Sequence, residues 1–158
     1  MAKAAAVAAL ALGATIGVAT APAPAAPYLS MSSHIDYHEV DHYLYVVDIQ
    51  GMVTMSQTAA QDSINHGYTI ALRYWGDDPD SDDLLAGPIN PQSVTAAADG
   101  LHFQHSLTMA RANLNEDSTF VDSWTNSDAD EIYVGARLLD PSGKTVSLVE
   151  SNRIVDYF

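Results

Sequence analysis

The sequence contains no cysteine. Disulfide bonds, thiolate nucleophiles and cysteine-ligated zinc are therefore all excluded. A folded domain of this chain must be held together by its hydrophobic core alone. Aromatic and β-branched residues, which favour strands, are present in number and can supply that core.

Basic residues are scarce. The chain has 6 Lys and Arg against 20 Asp and Glu, which gives a formal net charge of −14 at pH 7. So acidic a protein repels phosphate backbones and anionic lipid headgroups, and this argues against nucleic acid and membrane surfaces as partners. Cations, basic proteins and simple solubility are the explanations of the charge that remain compatible.

The motifs of common enzymes are missing as well. The sequence has no G-x-S-x-G nucleophile elbow and no glycine-rich loop of the kind that holds phosphate. Its many acids include none in an apolar sequence context that would indicate a raised pKa. We therefore predict a protein that is not an enzyme. A hydrolase that uses two carboxylates, as glycosidases do, is the enzymatic alternative.

Long apolar runs are confined to the start of the chain. Ala4–Ala19 is an alanine-rich run behind Lys3, and the small-residue tract Ala21–Pro27 follows it. This pattern is typical of a secretory signal peptide cleaved after Ala25. A transmembrane anchor is the alternative, but the run is shorter than the ~20 residues that a spanning helix needs. We expect a bacterial exported protein, secreted or in the cell envelope, with no membrane insertion after cleavage.

The sequence divides into three predicted segments. Residues 1–25 are the signal peptide, residues 26–42 are a flexible N-terminal segment, and residues 43–158 are a single β-rich domain. The 133 residues left after cleavage are enough for one domain and few for two, and their charge is −15 because Lys3 is lost. We expect this mature protein to be a monomer.

A strand–helix–strand unit has the clearest pattern. Tyr43–Met55 alternates between apolar and other residues with the period of a strand, and so does Tyr68–Trp75. Between them, Ser56–His66 is predicted to be a short helix. Ser56 is placed to cap its first turn, and Gly67 can take the positive φ at which helices often end.

The remaining strands are predicted from alternation and turn residues. Further strands are expected at Leu101–Met109, Glu131–Asp140, Thr145–Val149 and Ile154–Phe158. By contrast, Leu84–Pro91 reads as an irregular crossover, and Gln92–Gly100 as a linker or helical turn. Five to six mostly antiparallel strands with one short helix predict a β-sandwich or a partly open barrel, with an α+β fold as the alternative.

An acidic loop follows the second strand of this unit and is a candidate calcium site. Alternate aspartates on a turning loop can converge on one hard cation. An EF-hand is not matched, because Asp83 replaces the required glycine and Ile89 the bidentate acid. A second acidic cluster could complete the site from across the fold, and a solvated loop without metal is the alternative. The candidate ligands are Asp77, Asp78, Asp80, Asp82, Asp83, Asp128 and Asp130.

Three histidines form a second candidate metal site. His34, His38 and His42 are spaced by four residues, so a helix would stack them on one face, and a strand would also place them on one side. Imidazole groups bind zinc, copper or nickel. The alternative is a chance set of exposed histidines beside a flexible segment.

Taken together, these features predict a small secreted acidic domain that binds an unknown protein or small ligand, or serves as a surface accessory. It would use no cofactor. The alternative from another class is a calcium-dependent binding module that uses the acidic loop.

Overall fold

The computed structural model describes residues 30–77, 81–115 and 129–158. These residues form two antiparallel β-sheets, one of four strands and one of five, and both contribute to one hydrophobic core. We call them the four-stranded sheet and the five-stranded sheet. The mainly β, antiparallel, sandwich-like fold predicted from the sequence is confirmed.

The four-stranded sheet consists of β1 (Met31–Asp41), β2 (Leu44–Thr54), β5 (Ser93–Ala97) and β6 (Gly100–Ala110). Their order across the sheet is β1-β2-β6-β5. The long central strands β2 and β6 pair over eleven residues, from Leu44 opposite Ala110 to Thr54 opposite Gly100. The alternation in β2 puts Val47, Ile49 and Val53 into the core, each no more than 2% exposed.

The five-stranded sheet consists of β3 (Thr69–Gly76), β4 (Asp83–Ile89), β7 (Asp130–Leu139), β8 (Thr145–Glu150) and β9 (Ile154–Asp156). Its order is β4-β3-β7-β8, and β9 also pairs with β7. Since β3 pairs along one edge of β7, both β8 and β9 lie along the other edge. The central strand β7 is buried along most of its length, on both faces.

One helix connects the two sheets. Helix α1 (Gln57–Asn65) follows β2 and leads into β3, and its Ala60 is fully buried in the core. Ser56 Oγ accepts a hydrogen bond from the Ala59 amide at 3.2 Å, and Gly67 has a φ of +81° just after the helix. The predicted cap and the predicted end of the helix are therefore both confirmed.

The described residues form nine strands, where five to six were expected. The crossover expected at Leu84–Pro91 is the strand β4, and the linker or helical turn expected at Gln92–Gly100 contains the strand β5. Those two predictions are wrong, because pairing of these backbones with β3 and β6 outweighs their weak side-chain patterns. Part of the N-terminal segment expected to be flexible, residues 31–41, is the edge strand β1.

Two side chains just after β8 tie this connection to β7 and to β1 of the other sheet. Ser151 lies between β8 and β9, and its hydroxyl accepts a hydrogen bond from the buried Val134 amide at 2.9 Å. The neighbouring Asn152 reaches β1, where it accepts from the Ile35 amide at 2.8 Å and donates to the Ile35 carbonyl at 3.1 Å. One side-chain amide thus pairs with β1 as a neighbouring strand would.

The opposite edge of the four-stranded sheet has a similar amide contact. Gln92 accepts from the Ser106 amide at 3.2 Å and donates to the Ser106 carbonyl at 3.1 Å, just beyond the point where β5 begins. Both contacts occupy backbone groups that an edge strand would otherwise leave available to another chain. Within the described residues, no helix has the length and apolar character that crossing a membrane requires.

Candidate functional site

The acidic loop after β3 is tied to an arginine. Asp77 forms an ion pair and hydrogen bond with Arg153, which lies between β8 and β9. This arginine holds the pKa of Asp77 below its ordinary value. The Asp77 amide also donates to the Glu131 carbonyl at 2.8 Å, so the start of the loop is fixed to β7.

Tyr133 continues this contact toward the other side of the loop. Its hydroxyl donates to Asp82 at 2.6 Å, and the Arg153 guanidinium lies over its ring, 5.1 Å from the centroid. Burial, and then the bond to Asp82, raise the pKa of Tyr133. Two of the candidate calcium ligands, Asp77 and Asp82, therefore already have protein partners.

The other candidate calcium ligands are dispersed or not described. Asp83 begins β4 and is exposed, whereas Asp130 begins β7, is only 6% exposed and accepts a hydrogen bond from the Phe158 amide at 3.3 Å. Asp78, Asp80 and Asp128 lie outside the described residues. The calcium site therefore stays a prediction. In the ranges that the structure describes, no three His, Asp or Glu side chains form a group that could hold a metal ion.

The three candidate histidine ligands do not come together. His34 and His38 point outward from β1, and four residues of strand separate them by roughly 13 Å. His42 lies in the turn after β1, with its ring 3.5 Å from Glu39. The strand β1 places His34 and His38 on one side, as expected of a strand, but too far apart to share one ion, and His42 is not on the strand.

The outer face of the four-stranded sheet carries many polar side chains. The strand register arranges its side chains in rows across the strands, and we call this surface the open face. The open face includes Ser32, His34, Asp36, His38, Asp48, Gln50, Met52, Ser93, Thr95, His102, Gln104 and Ser106.

The middle row of the open face crosses all four strands. His34 lies opposite Gln50, Gln50 opposite Gln104, and Gln104 opposite Ser93. Directly opposite residues in antiparallel strands have Cβ atoms roughly 4.5–5.5 Å apart, so neighbouring members of the row can contact one ligand. Gln50 and Gln104 are both exposed.

A groove runs over this row. One part, of about 420 Å³, extends toward Met52 and His102, and a second part, of about 350 Å³, extends toward Asp36 and Asp48. The two parts share the lining residues His34, Gln50 and Gln104, so they adjoin over the middle row, and we refer to them together as the groove. Ligand pockets commonly have volumes of about 300–1,000 Å³.

Charged groups lie at both ends of the groove. At one end, Asp48 accepts a hydrogen bond from Ser106 and lies 3.6 Å from the His38 ring. At the other end, Asp99 accepts from His102 Nε2 at 2.7 Å, and this bond holds the pKa of Asp99 below its ordinary value. A carboxylate with a lowered pKa stays ionised and suits ligand binding better than general acid catalysis.

No described residue in the four strands of this sheet is Lys or Arg. The basic residues of the five-stranded sheet and its connections are Arg73, Arg137, Lys144 and Arg153. Histidines are therefore the side chains of the open face that can become cationic, and they do so only on protonation.

The outer face of the five-stranded sheet is different. Trp75 lies across Gly135, and a Cβ atom added at Gly135 would lie 3.4 Å from the indole nitrogen of Trp75. Tyr133, next to it in the register, is only 6% exposed. This part of the outer face is covered by its own side chains.

Three buried polar atoms of the described residues have no hydrogen-bond partner: Ser33 Oγ, Tyr74 Oη and His105 Nδ1. Tyr74 is fully buried, and that burial raises its pKa. His105 points inward opposite Ile49, and burial lowers its pKa. Tyr74 and His105 do not belong to the middle row of the open face, although His105 contributes to the lining of the smaller part of the groove.

Sequence reasoning missed the groove. It identified the alternation in Leu101–Met109, which puts His102 and Gln104 on the outer side, but nothing in the sequence indicated that Gln50 would lie opposite Gln104. The available signal was the set of polar residues at alternate positions in two strands. Its significance depends on strand order, which alternation does not reveal.

Comparison with known proteins gives only a distant structural likeness. No protein family matches the sequence, and no curated protein resembles it closely enough to be matched. Among solved structures, β-glucosidase 3B from Thermotoga neapolitana is 9% identical with a TM-score of 0.35, over 83% of this chain and 17% of that enzyme. A β-glucosidase from Kluyveromyces marxianus is 11% identical with a TM-score of 0.35, over 81% and 15% of the two chains.

A protein from Archaeoglobus fulgidus is 15% identical with a TM-score of 0.38, over 82% of this chain and 98% of the other. The chain therefore spans less than a fifth of the length of either glucosidase. At these values the likeness carries no argument about activity or ligand.

Proposed function

We propose that this protein is an exported, non-enzymatic binding domain whose ligand lies in the groove of the open face. The observation that carries the proposal is the row of polar side chains from His34 through Gln50 and Gln104 to Ser93, which lines the groove. Export is proposed from the N-terminal sequence pattern alone.

The chemistry of the groove supports binding rather than catalysis. Its amide side chains each offer both donors and an acceptor, which suits the recognition of polar ligands. The shifted pKa values among the described residues have structural causes: a hydrogen bond for Asp77, Asp99, Asp140 and Asp156, and burial for His105. A raised carboxyl pKa, which a glycosidase-type general acid needs, is not found among these groups.

The proposal is tested by mapping backbone amide shifts by NMR on the full mature chain. The probes are a neutral oligosaccharide, a neutral glycine–serine peptide and an arginine-containing peptide, each titrated separately. We expect at least one probe to shift the amides of Gln50, His102 and Gln104, with little change at Trp75 and Gly135 on the other outer face.

The matched variants are Gln104→Ala in the groove and Thr69→Ala on the five-stranded sheet. The first should weaken the response and the second should leave it unchanged. Shifts confined to the five-stranded sheet, or no shift with any probe, would rule out the groove as the binding surface.

A further inference from the structure

The groove has a carboxylate end, a neutral centre and a second carboxylate end. Asp36 and Asp48 line one part of it, and Asp99 lines the other. Asp48 is opposite Ser106 and Asp99 is bonded to His102. Ser106 and His102 are four residues apart along β6, which is a distance of roughly 13 Å.

The end at Asp36 and Asp48 has a charge that its own sheet does not balance. These two residues are directly opposite each other in the register of β1 and β2. Like charges at opposed positions destabilise a sheet. The ion-pair partner that the structure gives Asp48 is the ring of His38, at 3.6 Å, and this histidine is cationic only when protonated.

A single metal ion does not fit this distribution of charge. A metal needs several ligands within about 2–2.6 Å of one point. Within the part of the chain that the structure describes, no three suitable side chains converge in that way. Charges separated along a groove instead match cationic groups that are themselves separated along one molecule.

The neutral centre favours a polypeptide as that molecule. Gln50 and Gln104 present amide donors and acceptors side by side. Such groups can pair with backbone N–H and C=O groups, as Gln92 and Asn152 already do with β6 and β1 in this protein. The groove runs along the strands, which is the direction that suits an extended segment.

From this charge complementarity we infer that the groove binds one extended segment of basic polypeptide with two cationic side chains four residues apart. In an extended chain, side chains at even spacing point to the same side, and four residues span roughly 13 Å. One cation would meet Asp36 and Asp48, and the other would meet Asp99. The inference rests on the proposed function and adds the class of ligand to it.

The test uses the full mature chain and synthetic peptides with free ends blocked. The first peptide has two arginines four positions apart in a glycine–serine sequence, the second has the arginines two positions apart, and the third has glutamates in place of arginines. We expect calorimetry to show tightest binding for the first, weaker binding for the second and none for the third. Equal affinity for both arginine peptides would overturn the inference.

Paired variants distinguish binding in the groove from a general attraction between a basic peptide and an acidic protein. Asp48→Asn with Asp99→Asn should weaken the first peptide about tenfold, a change of about 1.4 kcal/mol. The control, Asp62→Asn with Asp83→Asn, changes the net charge equally on α1 and β4 and should have little effect. Equal weakening by both pairs would mean diffuse attraction and would overturn the inference.

Amide shift mapping on the unmodified protein does not depend on the folding of any variant. If a neutral oligosaccharide shifts the amides of Gln50 and Gln104 while no arginine peptide does, the inference that the ligand is a basic segment is wrong, and the proposed binding function stands. If neither the arginine peptides nor the neutral probes shift these amides, both are wrong.

Discussion

The two sheets of this protein share one core but differ on their outer faces. On the five-stranded sheet, Trp75 lies across Gly135, and the ring of Tyr133 is covered by Arg153. On the four-stranded sheet, the outer side chains of β2 and β6 stand beside an open groove. The difference shows how one sandwich can use one outer face to complete its own packing and leave the other with exposed polar groups.

Charge follows the same division. The cations Arg73, Arg137 and Arg153 belong to the five-stranded sheet and its connections, where Arg153 balances Asp77. The carboxylates Asp36 and Asp48 belong to the four-stranded sheet, whose strands contain no Lys or Arg among the described residues. Arg153 thus balances Asp77 beside the five-stranded sheet, whereas the ion-pair partner of Asp48 in the four-stranded sheet is a histidine.

The largest loss of stability is expected from an alanine at Gly51, in the four-stranded sheet. An alanine at Gly51 would place its Cβ 2.2 Å from the Phe103 ring and 2.7 Å from the Ser32 carbonyl oxygen. Phe103 is only 2% exposed and cannot move freely. We expect Gly51→Ala to lower the free energy of unfolding by about 2–3 kcal/mol, as overpacking does.

The matched change is Gly135→Ala, where the nearest atom to the new Cβ would be the indole nitrogen at 3.4 Å, an ordinary contact. Its effect should stay below about 1 kcal/mol in either direction, because alanine also suits a strand interior better than glycine does. Urea denaturation of both variants is the measurement. Similar losses in the two would contradict the contacts described for these glycines.

A middle-sized effect is expected from the two side-chain amides that pair with backbone groups of β1 and β6. Asn152→Ala removes both partners of the Ile35 backbone, and Ile35 is 1% exposed. Because buried groups left without a partner are costly, we expect a loss of about 2 kcal/mol. Gln92→Ala removes the same pair of bonds from the exposed Ser106, where water can replace them, so its loss should be below about 0.5 kcal/mol.

Hydrogen exchange identifies where that loss arises. In Asn152→Ala the Ile35 amide should exchange faster than in the unmodified protein, while amides in the centre of β7 should not. Unchanged protection at Ile35 would show that Asn152 does not hold β1 to the rest of the fold.

The sequence predicted the parts of the fold where side-chain pattern and backbone pairing agree. β2, α1, β3, β6 and β7 were all identified, since their apolar residues alternate or their caps are explicit. β4 was missed because Gly87 and Pro88 interrupt its pattern. β5 was missed because it has only five residues, which do not alternate clearly between apolar and polar side chains. These strands are held by neighbouring backbones, a contribution that side-chain pattern does not reveal.

The candidate site was less accessible to prediction for a related reason. The acidic loop and the histidines were found because their residues are close in sequence. The groove combines β1, β2, β5 and β6. Between β2 and its partner β6, the chain passes through β3 and β4 of the other sheet before it returns. Its composition is visible in the sequence, but its existence depends on strand order.

The smallest predicted effect concerns a pH-dependent contact between the two sheets. Tyr37 in β1 donates a hydrogen bond to Asp156 in β9, which lowers the pKa of Asp156 and, with burial, raises the pKa of Tyr37 to about 12. The aspartate contributes stability above its unfolded pKa of about 3.9, and this is lost as the pH falls through the lower folded value. The tyrosine contributes stability below about pH 10, and this is lost as the pH rises toward 12.

Tyr37→Phe should therefore flatten both the acid and the alkaline limbs of the stability–pH curve, with a loss of about 1 kcal/mol or less at neutral pH. Tyr43→Phe is the control, since Tyr43 is 78% exposed. Thermal melts across the pH range measure both variants. Parallel curves for Tyr37→Phe and the unmodified protein would exclude a role for this contact.

The Asn152 contact has a consequence for the chemical ageing of the protein. Hydrolysis of its side-chain amide to a carboxylate keeps the shape of the group and its acceptor oxygen, but removes both N–H donors. The Ile35 carbonyl would then face a negatively charged oxygen instead of the donor that now lies 3.1 Å away. Spontaneous deamidation at this one residue would loosen β1 and alter the edge of the open face without cleaving the chain.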